Sequence, residues 1–184
     1  MKDKEIELKF IINKEIKNAI LSENVENFIK LSTSRVIDTY YIPYYRDFEI
    51  NGETMECVRI RENEKGFTLT YKKIHRECNP VYCDEYETKI EDKDQMEKLL
   101  FALGFSIQMK IDKTRESYKM NGLEFDFDTI ENLGEHLEIE IKDESLTTND
   151  IYNFVAKYGL TKDDVTYKGI QVLMKEALNK KSTQ

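Results

Sequence analysis

Full charges recur two residues apart along this chain. In the opening segment EIELKF, Glu5, Glu7 and Lys9 alternate with Ile6, Leu8 and Phe10. Arg59 and Arg61 flank Ile60, Thr68, Thr70 and Lys72 alternate with Phe67, Leu69 and Tyr71, and Glu85 and Glu87 flank Tyr86. Farther on, Lys113 and Arg115 sit two apart, Glu124, Asp126 and Asp128 alternate with Leu123, Phe125 and Phe127, and Glu138 and Glu140 with Leu137, Ile139 and Ile141. Period two is the strand repeat, so each segment has one apolar face and one charged face. Guanidinium and ammonium groups make charge-assisted bonds to phosphate oxygens. Carboxylate pairs aimed the same way can hold hard divalent ions such as Mg²⁺ or Mn²⁺, which offset phosphate charge. Acids alone would suggest a cation site and bases alone an anion sink. The mixture fits a metal-bound polyphosphate.

The elements that must position these residues follow from pattern and punctuation. Asn13 can cap a helix over 14–31, with Ile16, Ile20, Val25, Phe28 and Ile29 as a broken apolar stripe. Strands are predicted over 35–42, 55–62, 67–74 and 82–90. DKDQMEKLLFALG reads as a helix with acids in its first turn and Gly104 at its C-terminal cap. Strands follow over 105–119, 122–129 after the Asn121-Gly122 turn, and 135–142, and helices over 148–158 and 164–179 close the chain. Eight strands with few helices suggest an α+β protein built on an eight-stranded antiparallel β-barrel or a strongly curled sheet. A barrel with helices packed outside and a charged lumen uses every strand's two faces. The competing reading is an open antiparallel sheet with its charged face in water.

Composition narrows the function classes. At 184 residues, with 40% hydrophobic and 11% aromatic content, the chain can bury a core, and only two prolines and no low-complexity linker interrupt it. One domain over 1–180 is the economical reading, with the polar residues 181–184 as a frayed tail. A formal net charge of −8 argues against a nonspecific partner among nucleic acids or anionic membranes. No stretch approaches a membrane span and MKDKEIE does not resemble a signal peptide, so a cytoplasmic location is expected. Cys57, Cys78 and Cys83 form no CxxC pair, and His75 and His136 lie far apart, which argues for reduced thiols and against zinc. Both histidines read as surface or structural groups rather than general bases. The cluster Tyr40, Tyr41, Tyr44, Tyr45 and Phe48 reads as a strand with its packed loop.

EIELK resembles the ExExK signature of CYTH proteins, the triphosphate tunnel metalloenzymes. The resemblance continues in order through DTYY, VRIRE, LTYK, DEYET, DKTRESY, FDFDTIENLG, HLEIEIK and TYKGIQVLM. It implies an eight-stranded antiparallel tunnel, in agreement with the parity of the strands. By resemblance, Glu5, Glu7 and Lys9 belong to the catalytic motif, and Lys9, Arg59, Arg61, Lys72, Lys113, Arg115 and Lys168 bind the triphosphate. Glu5, Glu7, Glu138 and Glu140 would bind Mg²⁺ or Mn²⁺ and orient water, with Glu85, Glu87 and Asp126 lining the tunnel. Asp128 matches an acid of the family pattern for which a structural role is an equal alternative. The long connection YIPYYRDFEINGETMEC resembles the class IV adenylyl cyclase branch, whereas EIELKFI is equally similar to bacterial inorganic triphosphatases.

Three functions are compatible with this reading. A triphosphate phosphohydrolase acting on ATP, another nucleoside triphosphate or inorganic triphosphate is favoured. The alternative is an adenylyl cyclase that makes cyclic AMP and pyrophosphate from ATP. A non-catalytic nucleotide or polyphosphate binding module is the third, disfavoured because binding alone has less use for so many carboxylates. An exposed apolar edge could support a homodimer, and the sequence leaves the oligomeric state open.

Overall fold

The computed structural model describes residues 4–182. The first strand of its main sheet is broken at Ile6 into β1 (Lys4–Glu5) and β2 (Glu7–Ile12). The others are β3 (Ile29–Pro43), β6 (Glu56–Asn63), β7 (Gly66–His75), β8 (Tyr82–Ile90), β9 (Phe105–Met120), β10 (Leu123–Ile130) and β11 (Gly134–Ile141). Two short strands, β4 (Glu49–Ile50) and β5 (Glu53–Thr54), make a separate hairpin. The nine strands run in the order β1-β8-β7-β6-β3-β9-β10-β11-β2, so the two pieces of the opening strand stand at the two ends of the sheet. This is an antiparallel β-barrel. Nine strands replace the expected eight because of the break at Ile6. Residues 183 and 184 of the expected tail lie outside the described residues, and 181 and 182 belong to the last helix. No helix among the described residues is long and apolar enough to cross a membrane.

Two helix expectations are corrected. The first helix, α1 (Lys14–Glu23), starts where Asn13 caps it, its Oδ1 accepting from Ile16 N at 2.8 Å. It stops eight residues short of the expected 31. Asn24 Nδ2 donates to the Ile20 carbonyl at 2.8 Å, and the β-prone run Ile29–Ser34 joins β3. The helix expected over 164–179 begins instead at α4 (Ile170–Ser182). Val165 bridges Phe10, and Thr166 N donates to the Lys9 carbonyl at 2.8 Å, so these residues extend a strand pairing. Lys168 consequently precedes the helix.

The chain divides into two compact units, one comprising Arg35–Asp112 with Lys4 and the residues from Lys168 onward, the other Glu5–Ser34 with Lys113–Tyr167. In the second unit, Leu8, Phe10, Leu123, Phe125, Phe127, Leu137 and Ile139 form the apolar face of β2, β10 and β11. Ile20 of α1 and Ile151 and Val155 of α3 (Thr148–Val155) complete this core. One polar network interrupts it: Lys17 Nζ lies 2.9 Å from Glu116 and 3.1 Å from Glu135, whose Oε2 also accepts from Thr129 at 2.7 Å. Glu135 thereby ties α1 to the sheet.

In the first unit, Tyr41, Val58, Ile60 and Phe48 pack with Leu100 of α2 (Lys93–Ala102). Gly104 ends this helix at φ +85°, where a Cβ would meet the Tyr44 ring at 2.2 Å. Gly169 has a similar close approach, with Thr54 Oγ1 2.6 Å from the position of a Cβ. Its N–H donates to that oxygen at 3.0 Å and seats the start of α4 on the β4–β5 hairpin.

Phe125 is fully buried, with Phe28 and Phe154 ring centroids each 4.9 Å away. Phe125→Ala is expected to cost about 3–5 kcal/mol of stability, measured by urea unfolding, because it deletes both ring contacts and leaves a cavity.

Candidate functional site

Strand register decides which charges meet. In the first unit, β6 pairs with β3 so that Arg61 faces Asp38 and Arg59 faces Tyr40, and with β7 so that Arg59 faces Thr70. Lys72 of β7 faces Glu85 of β8, and Thr70 faces Glu87. The Arg61 guanidinium makes a two-pronged contact with Asp38, Nε to Oδ1 at 2.7 Å and Nη2 to Oδ2 at 2.9 Å. Arg59 lies 3.8 Å from Asp38 and 3.9 Å from Glu85, which is also ion-paired with Lys72. Glu87 accepts from Thr70 Oγ1 at 3.0 Å. Asp38 has no exposure at all.

The second unit repeats the theme around Asp128, also with no exposure. Lys113 Nζ donates to its Oδ2 at 2.7 Å, and Arg115 donates to both carboxylate oxygens at 2.6–2.7 Å. Arg115 also pairs with Asp126 and, at 2.9 Å, with Glu138. Lys9 stands between Glu7 at 3.0 Å and Glu138 at 3.3 Å. Glu5 occupies β1 and lies close enough to Lys142 to favour its charged form. Lys168 is paired with Glu176 of α4 at 2.6 Å, and both side chains are more than two-fifths exposed.

Electrostatics follow from this packing. Burial by itself would raise the Asp128 carboxyl, but Arg115 and Lys113 outweigh it and hold it below the ordinary carboxylate value. Burial pushes the His136 imidazole down, against the opposing pull of Asp128.

Glu140 stands directly opposite Glu7 on one side and Glu124 on the other. Like charges facing each other across strands are unfavourable, and an oxygen-only donor set suits Mg²⁺ or Mn²⁺. Among the described residues, no three acids, histidines or cysteines gather as a closed metal cage. Lys9 holds Glu7 and Glu138, and Lys142 lies 2.6 Å from Glu140. The donors fit in kind, as a partial set of the sort Mg²⁺ uses when substrate phosphates supply further ligands.

Two residues of these clusters were missed in the sequence. Asp38 stands in the β-rich run RVIDTYY, and an acid at that strand position, on the parity of Tyr40, was the available signal. Ser117, which donates to Asp126 at 2.5 Å, gave none.

Comparison with known proteins then identifies the relatives. The CYTH domain model matches residues 3–166. This chain belongs to the CYTH family. It is 32% identical over 136 residues to "Putative adenylate cyclase MJ0240" of Methanocaldococcus jannaschii, covering 71% of this chain and 76% of that protein. The PH1819 protein of Pyrococcus horikoshii superposes with a TM-score of 0.73 at 28% identity, covering 94% of this chain and 98% of that one. The "putative adenylyl cyclase HpAC1 from Hippeastrum", which has a dominant triphosphatase activity, shares the fold at a TM-score of 0.58 and 14% identity, with 90% of each chain covered. CYTH enzymes include adenylyl cyclases and triphosphatases and are in general metal-dependent.

Asp128→Asn leaves Lys113 and Arg115 without their buried counter-charge and is expected to cost about 3–5 kcal/mol in urea unfolding. The folded carboxyl sits below its unfolded value of about 3.9, so its contribution is complete above about pH 5 and is lost as pH falls through the lowered folded value. Between about pH 5 and 2 the stability of Asp128→Asn should therefore decline less steeply than that of the unaltered protein.

Proposed function

We propose that this protein is a metal-dependent enzyme that processes triphosphates, releasing a terminal phosphate from a nucleoside triphosphate or from inorganic triphosphate. The carrying observation is that each unit presents bases from neighbouring strands, interleaved with carboxylates, on one sheet face. Arg59, Arg61 and Lys72 do so in the first, and Lys9, Lys113 and Arg115 in the second. A lone phosphate is satisfied by one or two cations, whereas a triphosphate chain carries several charges and uses a series. CYTH membership supports the same reading.

In this mechanism the bases bind and orient phosphate oxygens. The fork that Arg61 presents to Asp38 is the geometry a guanidinium offers to phosphate, so ligand and carboxylate compete for one set of donors. Lys113, 2% exposed in its side chain, is paired with Asp128, which also anchors the position from which Arg115 reaches Asp126 and Glu138. Glu5, Glu7, Glu138 and Glu140 would hold Mg²⁺ or Mn²⁺, which supplies charge compensation on the transferring and leaving oxygens. A carboxylate of the same set orients water for in-line attack on the terminal phosphorus.

The name of the Methanocaldococcus jannaschii relative favours a second reading, in which the ribose 3′-hydroxyl of ATP attacks the α-phosphorus and pyrophosphate leaves. Cyclisation demands a defined ribose geometry in addition to phosphate binding. Hydrolysis needs only the chain and a water, and it remains the favoured reaction.

Product analysis tests the proposal. Purified protein is incubated with ATP, other nucleoside triphosphates and inorganic triphosphate, each with Mg²⁺ or Mn²⁺, and products are resolved by phosphorus NMR. Orthophosphate is expected. Cyclic AMP with pyrophosphate would replace hydrolysis by cyclisation, and intact substrate throughout would leave a binding module. In the active assay, Glu138→Gln with Glu140→Gln should lower metal-dependent turnover by roughly a hundred-fold or more. Unchanged turnover would remove both residues from the mechanism.

A further inference from the structure

His136, on β11, is a buried polar side chain on the charged face. It is 4% exposed, and neither ring nitrogen has a hydrogen-bond partner among the described residues. Its cross-strand neighbours are Asp128 on β10 and Ile11 on β2, so the ring lies on the charged face with Glu138 and not on the apolar face of Leu137 and Ile139. The neighbouring Asp128 carboxylate is already taken by Lys113 and Arg115. The Gly134 backbone is close by but meets neither ring nitrogen in hydrogen-bond geometry.

A buried imidazole without a partner loses its hydration and receives nothing in return. An apolar ring would fill the same position at lower cost. A partner from outside the chain, solvent or ligand, completes such a group. Lys113 and Arg115, which bond Asp128, the cross-strand neighbour of His136, are among the bases assigned above to the triphosphate, so a phosphate oxygen is the partner which that reading brings to this end of the charged face.

We propose that His136 contacts the bound triphosphate, its ring N–H donating to a phosphate oxygen beside Lys113 and Arg115. This rests on the triphosphate reading given above. A ring N–H suits the place, because it adds a directional contact on the charged face beside Asp128 and Glu138. It also makes His136 a specificity residue, since an anion lacking an acceptor at that point would leave the ring unpaired.

The whole chain is titrated calorimetrically with the imido-bridged, non-hydrolysed analogue of inorganic triphosphate, as the unaltered protein and as His136→Phe, His136→Leu and His136→Gln. The Phe and Leu variants should bind about ten-fold or more weakly, while their ligand-free melting temperatures stay level or rise. His136→Gln keeps an N–H donor and should remain within about three-fold of the unaltered protein. The ring ¹⁵N resonances of His136 should shift when the analogue is added. Unchanged affinity in the apolar variants overturns the proposal. A fall in ligand-free melting temperature in both of them also overturns it, because the ring would then serve the fold. If the unaltered protein binds no triphosphate at all, the failure lies in the underlying functional reading.

Discussion

Asp38 and Asp128, one in each unit, are carboxylates with no solvent exposure, and each is gripped by cations from the adjoining strand. Moving such a charge out of water costs several kcal/mol, and only close, well-formed pairing with further hydrogen bonds offsets it. The pairing requires a fixed register, because a slip of one residue would turn the arginines onto the apolar face and leave the acids alone. Register, arginine orientation and the shape of each charged face therefore depend on the same two contacts. Arg115 shows the consequence: held by Asp128, it has donors left for Asp126 and Glu138.

The apolar faces make that arrangement sustainable. Phe10, Phe125, Phe127, Leu137 and Ile139 are fully buried under α1 and α3, and Tyr41 and Ile60 lie under α2. Burial of these side chains supplies the favourable term that a face crowded with charges cannot. Lys17, Glu116 and Glu135 are the exception on the apolar side, and there too the charges are mutually paired. Such a network fixes where α1 sits more than it adds stability. His136 breaks the pattern as a buried polar group whose ring nitrogens have no hydrogen-bond partner among the described residues.

Much of this was legible in the sequence because strand periodicity is a local property. Alternation alone assigned Glu7, Lys9, Arg59, Arg61, Lys72, Glu85, Arg115, Asp126, Glu138 and Glu140 to charged faces, and the register confirms those faces. Helix limits were read less well. The broken stripe from Ile16 to Ile29 suggested one helix, but Asn24 turns its side chain back to the Ile20 carbonyl and the chain departs into β3. Around 165–169, pairing of Val165 and Thr166 with β2 outweighed local helix preference, a choice set by a strand more than 150 positions away in the chain.

The sequence by itself determined which side chains share a face, since a pleated strand admits only two directions, and it carried the motifs that mark a CYTH protein. Tertiary structure decided which charge meets which: Asp38 with Arg61, Arg115 with Asp128 and its neighbours, Lys168 with Glu176. It also decided that Asp128 would be ionised in the interior and that His136 would be buried. Partners and burial depend on register and on the packing of residues distant in sequence. Those are properties of strands brought together and cannot be read from any one of them.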